Sequence, residues 1–266
     1  MSLGTITALY SYPIKSCAPI VLKSSSCTSQ GLPHDREYVI ASSSEDKILT
    51  QRDLPNMALL RPSLDAENKV VVRGFDKTQI TIPADESGDV VTLNVWGNFY
   101  RGIDQGENVS RWLSDQLGVE CRLFKRTDDA EDGPILPKDN TRYDAAFVDC
   151  CPLSVVFEEE VQILNSKLSE PVRISRFRPS IVIKGVPESE HRTIKSLRTK
   201  NLSLTYIRPI GRCVIINIDQ EKGKIAGSEC LKMLASYKTL NQKAILGHYF
   251  FAAEPGRLTV GDQINT

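Results

Sequence analysis

Gly211-Arg212-Cys213-Val214-Ile215-Ile216-Asn217-Ile218-Asp219 sets a thiol beside a cation at the head of an apolar, β-branched run. From Val214 to Ile218 only Asn217 is polar, and Asp219-Gln220-Glu221-Lys222-Gly223 supplies a turn directly after it. β-Branched residues favour extended backbone, so the run predicts a short buried strand ending at that turn. The rhythm repeats outward. Residues 4–12 read as a strand stopped by Pro13, and 37–41 as another after the turn-like Gly31-Leu32-Pro33-His34-Asp35. Residues 57–62, 69–72 and 79–82 are further short strands, and 90–96 leads into Gly97-Asn98, a hairpin signal. Strands follow at 119–126, 202–208 and 257–264, and 147–157 is a strand or its approach. Arg176-Phe177-Arg178-Pro179 is a basic turn running into the apolar strand Ser180-Ile181-Val182-Ile183.

Helical spacing is confined to short segments. In 107–117, Val109, Trp112, Leu113 and Leu117 share one face, with Asn108 near the start and Gly118 just past the end. Residues 158–168 and 229–235 are the other helices, and no longer helix is expected in the first half. Many short strands, Gly and Pro turns and few helices predict a mainly β, α+β protein of barrel or sandwich type. Its 266 residues suit two domains. Residues 127–140, acidic and then rich in Pro and Gly, read as the connector, giving domains 1–126 and 127–266.

The composition excludes several classes. The 33 basic and 33 acidic side chains cancel, which argues against a nucleic-acid binder but leaves room for a local anion site. No stretch is long and apolar enough for a membrane span. The seven cysteines, Cys17, Cys27, Cys121, Cys150, Cys151, Cys213 and Cys230, are odd in number and form no C-x-x-C pair. With no signal peptide apparent, they predict a reducing, cytoplasmic setting. His34, His191 and His248 are too few and dispersed to suggest a His-rich zinc site, and neither a dinucleotide fingerprint nor a Walker A sequence occurs.

Basic residues stand at the ends of several predicted strands. Tyr12-Pro13-Ile14-Lys15-Ser16-Cys17 puts Lys15 and Ser16 after the first strand, His34-Asp35-Arg36 precedes the next, Thr50-Gln51-Arg52-Asp53 sits in a polar connector, and Arg176 and Arg178 flank Phe177. Arg offers a planar multi-donor fork and Lys a point charge, the pair of donors that suits a phosphate-bearing ligand. Taken singly, each is also an ordinary surface cation, and Asp35 or Asp53 can pair with its neighbour. Cys213 is likewise open on the local pattern: a small buried hydrophobe, or a thiolate favoured by Arg212 and able to act as nucleophile or soft-metal ligand.

Read together, Tyr12-Pro13-Ile14-Lys15-Ser16-Cys17, Asp35-Arg36, Thr50-Gln51-Arg52, Phe177-Arg178-Pro179-Ser180-Ile181-Val182-Ile183, Arg212-Cys213-Val214-Ile215 and Val260-Gly261-Asp262 fall in an order that resembles the MOSC-domain proteins. The likeness is to members with an N-terminal MOSC-associated barrel, such as bacterial hydroxylaminopurine-reducing proteins and the amidoxime-reducing components, and it covers nearly the whole chain. It implies an N-terminal β-barrel-like domain packed on a C-terminal MOSC β-barrel. It also implies a molybdenum cofactor, molybdopterin carrying Mo. Cys213 would be the thiolate on the metal and the catalytic centre. Lys15 and Arg36 would hold the pterin phosphate or its surroundings, Arg178 would contact pterin or phosphate, and Arg52 and Arg212 lie in further motifs. Asp149, Cys150 and Cys151 occupy a segment that contacts the cofactor, and Ser180 follows the Arg-Pro pair.

This chain departs from the mitochondrial relatives. They read Asp-Thr-Ser-Pro where it reads Asp149-Cys150-Cys151-Pro152, and Asn where it has Ser180. The implied function is reduction of hydroxylamines, amidoximes and N-hydroxylated bases to amines. Electrons would come from a separate ferredoxin, flavodoxin or haem protein, since no plant-type cysteine series for an iron–sulfur cluster is present. Two other readings are a sulfur carrier with a persulfide on Cys213, and a non-catalytic cofactor-binding module.

Overall fold

The computed structural model describes residues 3–44, 47–83, 88–95, 97–127, 146–191 and 193–265. Strands dominate them. The largest sheet runs Ser196–Arg198, Ser203–Gly211, Lys243–Ala252, Leu153–Phe157, Ile181–Lys184, Gly4–Ser11, Ile20–Leu22, with Thr239–Leu240 and Gln263–Ile264 paired at its sides. All its pairings are antiparallel except Leu153–Phe157 beside Ile181–Lys184, whose crossover carries the helix Glu158–Asn165. Alternate positions of these strands point into one core, where Ile6, Leu9, Val155, Phe157, Ile183 and Phe250 are all at most 1% exposed. Burying each such side chain contributes about 1.5–3 kcal/mol.

The second sheet runs Tyr38–Ser42, Cys121–Arg126, Asn98–Asp104, Val90–Val95, and a three-stranded meander of Arg61–Leu64, Val70–Arg73 and Gln79–Thr81 lies beside it. The helix Glu107–Leu117 buries Val109, Leu113 and Leu117 in the core this layer shares with Ile40, Leu60 and Leu123. It stops at Gly118, whose φ of 73° lets its N–H turn back to the Ser114 carbonyl. The protein is thus mainly β with short helices, its two curled sheets forming β-barrel-like halves.

The chain's first segment is built into the second half. Gly4–Ser11 is hydrogen-bonded between Ile181–Lys184 and Ile20–Leu22, and Ser24–Cys27 pairs with Gly256–Thr259. The loop Tyr12–Cys17 reaches over to the other half, where Ile14 bridges Tyr38 and Ile14 and Cys17 join its core, but the chain enters that half's sheet only at Tyr38–Ser42. The expected connector, 127–140, falls outside the described residues apart from Thr127.

Three readings of the chain are corrected. Val214–Asn217 is a 3-10 turn, not a strand; the Ile216 N–H returns to the Cys213 carbonyl at 3.2 Å, and the extended part is only Ile218–Asp219 paired with Lys224–Ile225. The expected strand at 57–62 begins as the 3-10 helix Pro55–Leu59, with proline in its first turn, and becomes extended only over Arg61–Leu64. Lys243–Ala252, ten residues in the middle of the large sheet, had no counterpart among the predicted strands.

Candidate functional site

The loops that leave these strands enclose an open cleft of about 130 Å³ at the junction of the halves. Its walls include Lys15, Arg36, Arg52, Asp149, Cys151, Arg178, Ser180, Arg212 and Cys213, brought from both halves of the sequence. Of the expected site residues only Cys150 is not on the lining. Arg176 is, whereas His34 bonds instead to Glu37 and Asn68 away from the cleft.

The basic residues here are fixed rather than freely mobile. Ser16, Arg36 and Arg178 all have left-handed backbone, with φ of 71°, 56° and 48°. Such a conformation costs a non-glycine residue on the order of 1–2 kcal/mol, and strain of this kind clusters at functional sites. It is held by a buried network. Asp35, 4% exposed, accepts the Tyr12 N–H at 2.8 Å and pairs with the Arg36 guanidinium. Arg36 closes the loop by donating its N–H to the Tyr12 carbonyl at 2.7 Å. The Tyr12 ring carries the guanidinium carbons of Arg36 at 4.3 Å and Arg178 at 4.4 Å from its centroid, and its hydroxyl donates to the Pro179 carbonyl at 3.1 Å. Two like charges are thus held together by one aromatic ring and one carboxylate.

Lys15 reaches in from the first loop. Its Nζ donates to the Phe147 carbonyl at 2.8 Å and to Asp149 Oδ1 at 2.5 Å. Burial pulls its pKa below the usual lysine value, with Arg36 and Arg52 adding repulsion and Asp149 opposing. Burial likewise lowers Arg178, with Arg36 working in the same direction and Tyr12 against it. A cleft whose cations are desolvated and mutually repelling gains from taking up an anion.

Cys213 stands where Ser203–Gly211 gives way to the 3-10 turn, the one of the seven cysteines that is not buried. Arg52 Nη2 donates to its Sγ at 3.1 Å across the cleft. Beneath them Gln51, fully buried, exchanges amide hydrogen bonds of 2.9 and 2.8 Å with Gln220, and its Nε2 also donates to the Ser16 carbonyl at 2.7 Å. Gln220 in turn accepts from Arg178 Nη1 at 3.3 Å. These amides tie the two halves together under the thiol. Neither was predicted, because glutamine has no spacing signature; only its place beside Arg52 in Thr50-Gln51-Arg52 could have drawn attention.

Arg212 is spent mostly on structure. Its Nε and Nη1 donate to the Leu246 and Phe177 carbonyls, each at 2.8 Å, and its buried Nη2 has no hydrogen-bond partner. Ser180 is fully buried and its hydroxyl faces Ser154 Oγ at 3.2 Å, bracing two strands at the cleft floor. Asp53 does not pair with Arg52; it receives the Thr50 N–H and hydroxyl and faces Lys47 at 2.6 Å. Among the described residues no group of three or more His, Cys, Asp and Glu converges on a metal position. The described residues thus offer a metal in this cleft the Cys213 thiol without a cluster of further protein ligands.

Residues 3–120 match the MOSC N-terminal beta barrel domain and residues 142–265 the MOSC domain. The chain is therefore a MOSC-domain protein that carries both domains of this two-part architecture. More particularly, it is homologous over nearly all of its 266 residues to the mitochondrial amidoxime reducing components. It is 27% identical over 281 residues to mitochondrial amidoxime reducing component 2 of Rattus norvegicus, covering 98% of this chain and 82% of that protein. To mitochondrial amidoxime-reducing component 1 it is 28% identical in Danio rerio, covering 98% and 84%, and 26% identical in Homo sapiens, covering 98% and 82%. The compartment in those names overturns the cytoplasmic expectation. Unpaired cysteines signal reducing surroundings, which more than one compartment provides. No helix among the described residues is long and apolar enough to cross a membrane.

Proposed function

We propose that the protein is a molybdenum-cofactor-dependent reductase of N-hydroxylated compounds, acting on hydroxylamines, amidoximes and N-hydroxylated bases with electrons from a separate ferredoxin, flavodoxin or haem protein. The observation that carries this reading is the cleft itself: an accessible thiol bonded to an arginine, facing a constrained set of buried cations. That donor set fits the cofactor. Lys15, Arg36 and Arg178 suit an anionic pterin phosphate, and the unpartnered Nη2 of Arg212 leaves a donor unspent beside them. Cys213 suits a soft, high-valent metal as the protein's single ligand. The division into domains 1–126 and 127–266, with the ligand between them, belongs to the same proposal, as does a mitochondrial setting.

When bound, the group supplies a two-electron redox centre; the overall change is R–NH–OH + 2H⁺ + 2e⁻ → R–NH₂ + H₂O. The chain's own residues orient and tune. Arg52, donating to Sγ, fixes the position of the one sulfur that would meet a metal. Gln51 and Gln220 hold Arg52 and Arg178 in register across the junction. Asp35 and Tyr12 keep Arg36 and Arg178 from moving apart, so the anion meets preorganised donors. Asp149 keeps Lys15 oriented at the rim.

The reading is tested by reduction of an aryl amidoxime to its amidine with a chemical electron donor, comparing the wild-type chain with Cys213→Ser. Molybdenum-dependent turnover that falls to background in the variant supports it. Wild-type turnover in Cys213→Ser removes the thiolate role. A pterin-free chain with a persulfide on Cys213, an outcome the exposed thiol also permits, favours the sulfur-carrier reading instead.

A further inference from the structure

A second hollow, of about 440 Å³, opens beside the cleft and shares two of its wall residues, Thr50 and Arg52. It lies between residues 47–53 and the end of the strand Val90–Val95, all in the first half of the sequence. A volume of this order suits a small-molecule site, and the cleft itself is the smaller of the two. Two further hollows, one at the start of the helix Glu107–Leu117 and one beside His34, share no residue with the cleft.

The chemistry of the walls narrows what the hollow takes. Ile48, half-buried, and Val95, 3% exposed, give it an apolar side that belongs to one core cluster with Val39, Ala41 and Leu93. Its carboxylate and its lysine are spent on one another. Asp53 holds Lys47 Nζ at 2.6 Å on one oxygen, and on the other it receives the Thr50 N–H and hydroxyl at 3.0 and 2.9 Å. Asn94 Oδ1 accepts the Gly97 N–H at 2.8 Å. A second anion site is therefore not what these groups build. Arg52 plays a different part: its Nη2 bonds Cys213 Sγ at 3.1 Å, so its guanidinium stands where the hollow meets the thiol. Aliphatic walls beside one planar guanidinium suit a neutral aromatic ring, which packs on both.

We propose that this hollow is the subsite for the unreactive aromatic body of the substrate, the aryl ring of an amidoxime or the heterocycle of an N-hydroxylated base. The inference rests on the reductase reading and adds to it where the molecule sits. A substrate with its N–OH toward Cys213 directs the rest of its body past Arg52, into the space that Ile48, Asn94 and Val95 line. These three residues take no part in the chemistry. They hold the ring, and so set a preference for aromatic substrates over hydroxylamine itself, which has no body to place there.

The test adds 4-fluorobenzamidoxime to the full-length chain as purified and follows the fluorine line width together with the amide chemical shifts of the isotope-labelled protein. Binding broadens the fluorine signal and moves the amides of Ile48, Thr50, Arg52 and Val95. Asn94→Trp, which fills the hollow from an exposed strand position, weakens that binding about tenfold or more. In turnover with a chemical electron donor, it lowers the ratio of kcat/KM for benzamidoxime to kcat/KM for hydroxylamine by a similar factor. No fluorine broadening, shifts confined to other segments, or an unchanged ratio overturns the subsite even where both substrates are reduced. Turnover of neither substrate by the wild-type chain overturns the reductase reading instead, and the amide shifts then decide the subsite alone. Those shifts need no variant, so misfolding of Asn94→Trp does not shelter the idea.

Discussion

Replacing Asp35 with alanine removes the one carboxylate inside the Tyr12–Arg36–Arg178 cluster. Its side chain is 1% exposed, pairs with Arg36 and accepts the Tyr12 N–H at 2.8 Å. Without it the Arg36 guanidinium keeps its place on the Tyr12 ring but loses its facing charge, and a buried backbone donor loses its acceptor. Breaking a buried pair from one side costs about 3–5 kcal/mol, because the remaining ion stays desolvated. For a chain of this length each kcal/mol moves the melting temperature by roughly 2–4 °C, so Asp35→Ala should melt about 10 °C lower. Asp35→Asn keeps the acceptor for Tyr12 and loses only the charge, so its cost should be about half as large. Urea unfolding and thermal melts of wild type and both variants measure this directly. An Asp35→Ala chain within about 1 kcal/mol of wild type would show that the carboxylate does not hold the basic cluster together, and the preorganisation argument would fall with it.

Burial holds His248 at about 4, with Lys238, His191 and Arg212 adding repulsion and Glu160 opposing. The unfolded chain takes up that proton first as pH falls below about 6.5, so stability declines from there to about pH 4, by about 3 kcal/mol in total. Urea midpoints across that range should show the slope in wild type and lose most of it in His248→Leu; equal slopes would contradict the assignment. Lys238→Met strips the cation that faces Glu160 at 2.8 Å in a site where the carboxylate is 1% exposed, and should cost about 3 kcal/mol by chemical denaturation, whereas a change under about 1 kcal/mol refutes the pairing. A double-mutant cycle on Gln51→Ala and Gln220→Ala should return a coupling of about 1 kcal/mol, and additivity would mean that the amide pair does not tie the halves together. Native thiol titration should find Cys213 reacting well ahead of Cys17, Cys27, Cys121 and Cys230, an order that Cys213→Ser abolishes.

Local chemistry made much of the fold legible. The first strand ends where Pro13 approaches, the hairpin turns at Gly97, and the helix Glu107–Leu117 has the bounds its apolar spacing and Gly118 define. Where the reading failed, one signal served two structures. Val214 to Ile218 has strand composition, but an apolar run this short does not distinguish a strand from a tight turn, and Val214 ends up 51% exposed. Lys243–Ala252 hid because Gly247, at φ 76°, and His248 interrupt its apolar run; only the assembled sheet shows that the strand resumes past Gly247 after a shift of register. The same split runs through the cleft. Lys15, Arg36, Arg178 and Cys213 stood out by residue type and strand-end position. Tyr12, Gln51 and Gln220 did not, because what they do depends on long-range partners: an aromatic ring between two arginines, and an amide pair 169 residues apart in sequence. That the first strand belongs to the second half's sheet was equally invisible, since pairing across the whole chain leaves no local mark.

The central claim is that this cleft binds a pterin cofactor with Cys213 on its metal. Molybdenum analysis and pterin fluorescence on the full-length chain, purified from a host that makes the cofactor, test it most directly when repeated on Cys213→Ser and on the Arg36→Ala, Arg178→Ala double variant. The account predicts both molybdenum and pterin in wild type, loss of molybdenum in the cysteine variant, and loss of both when the two arginines are removed. A wild-type chain free of pterin, or a double variant that retains it at the wild-type level, would contradict it.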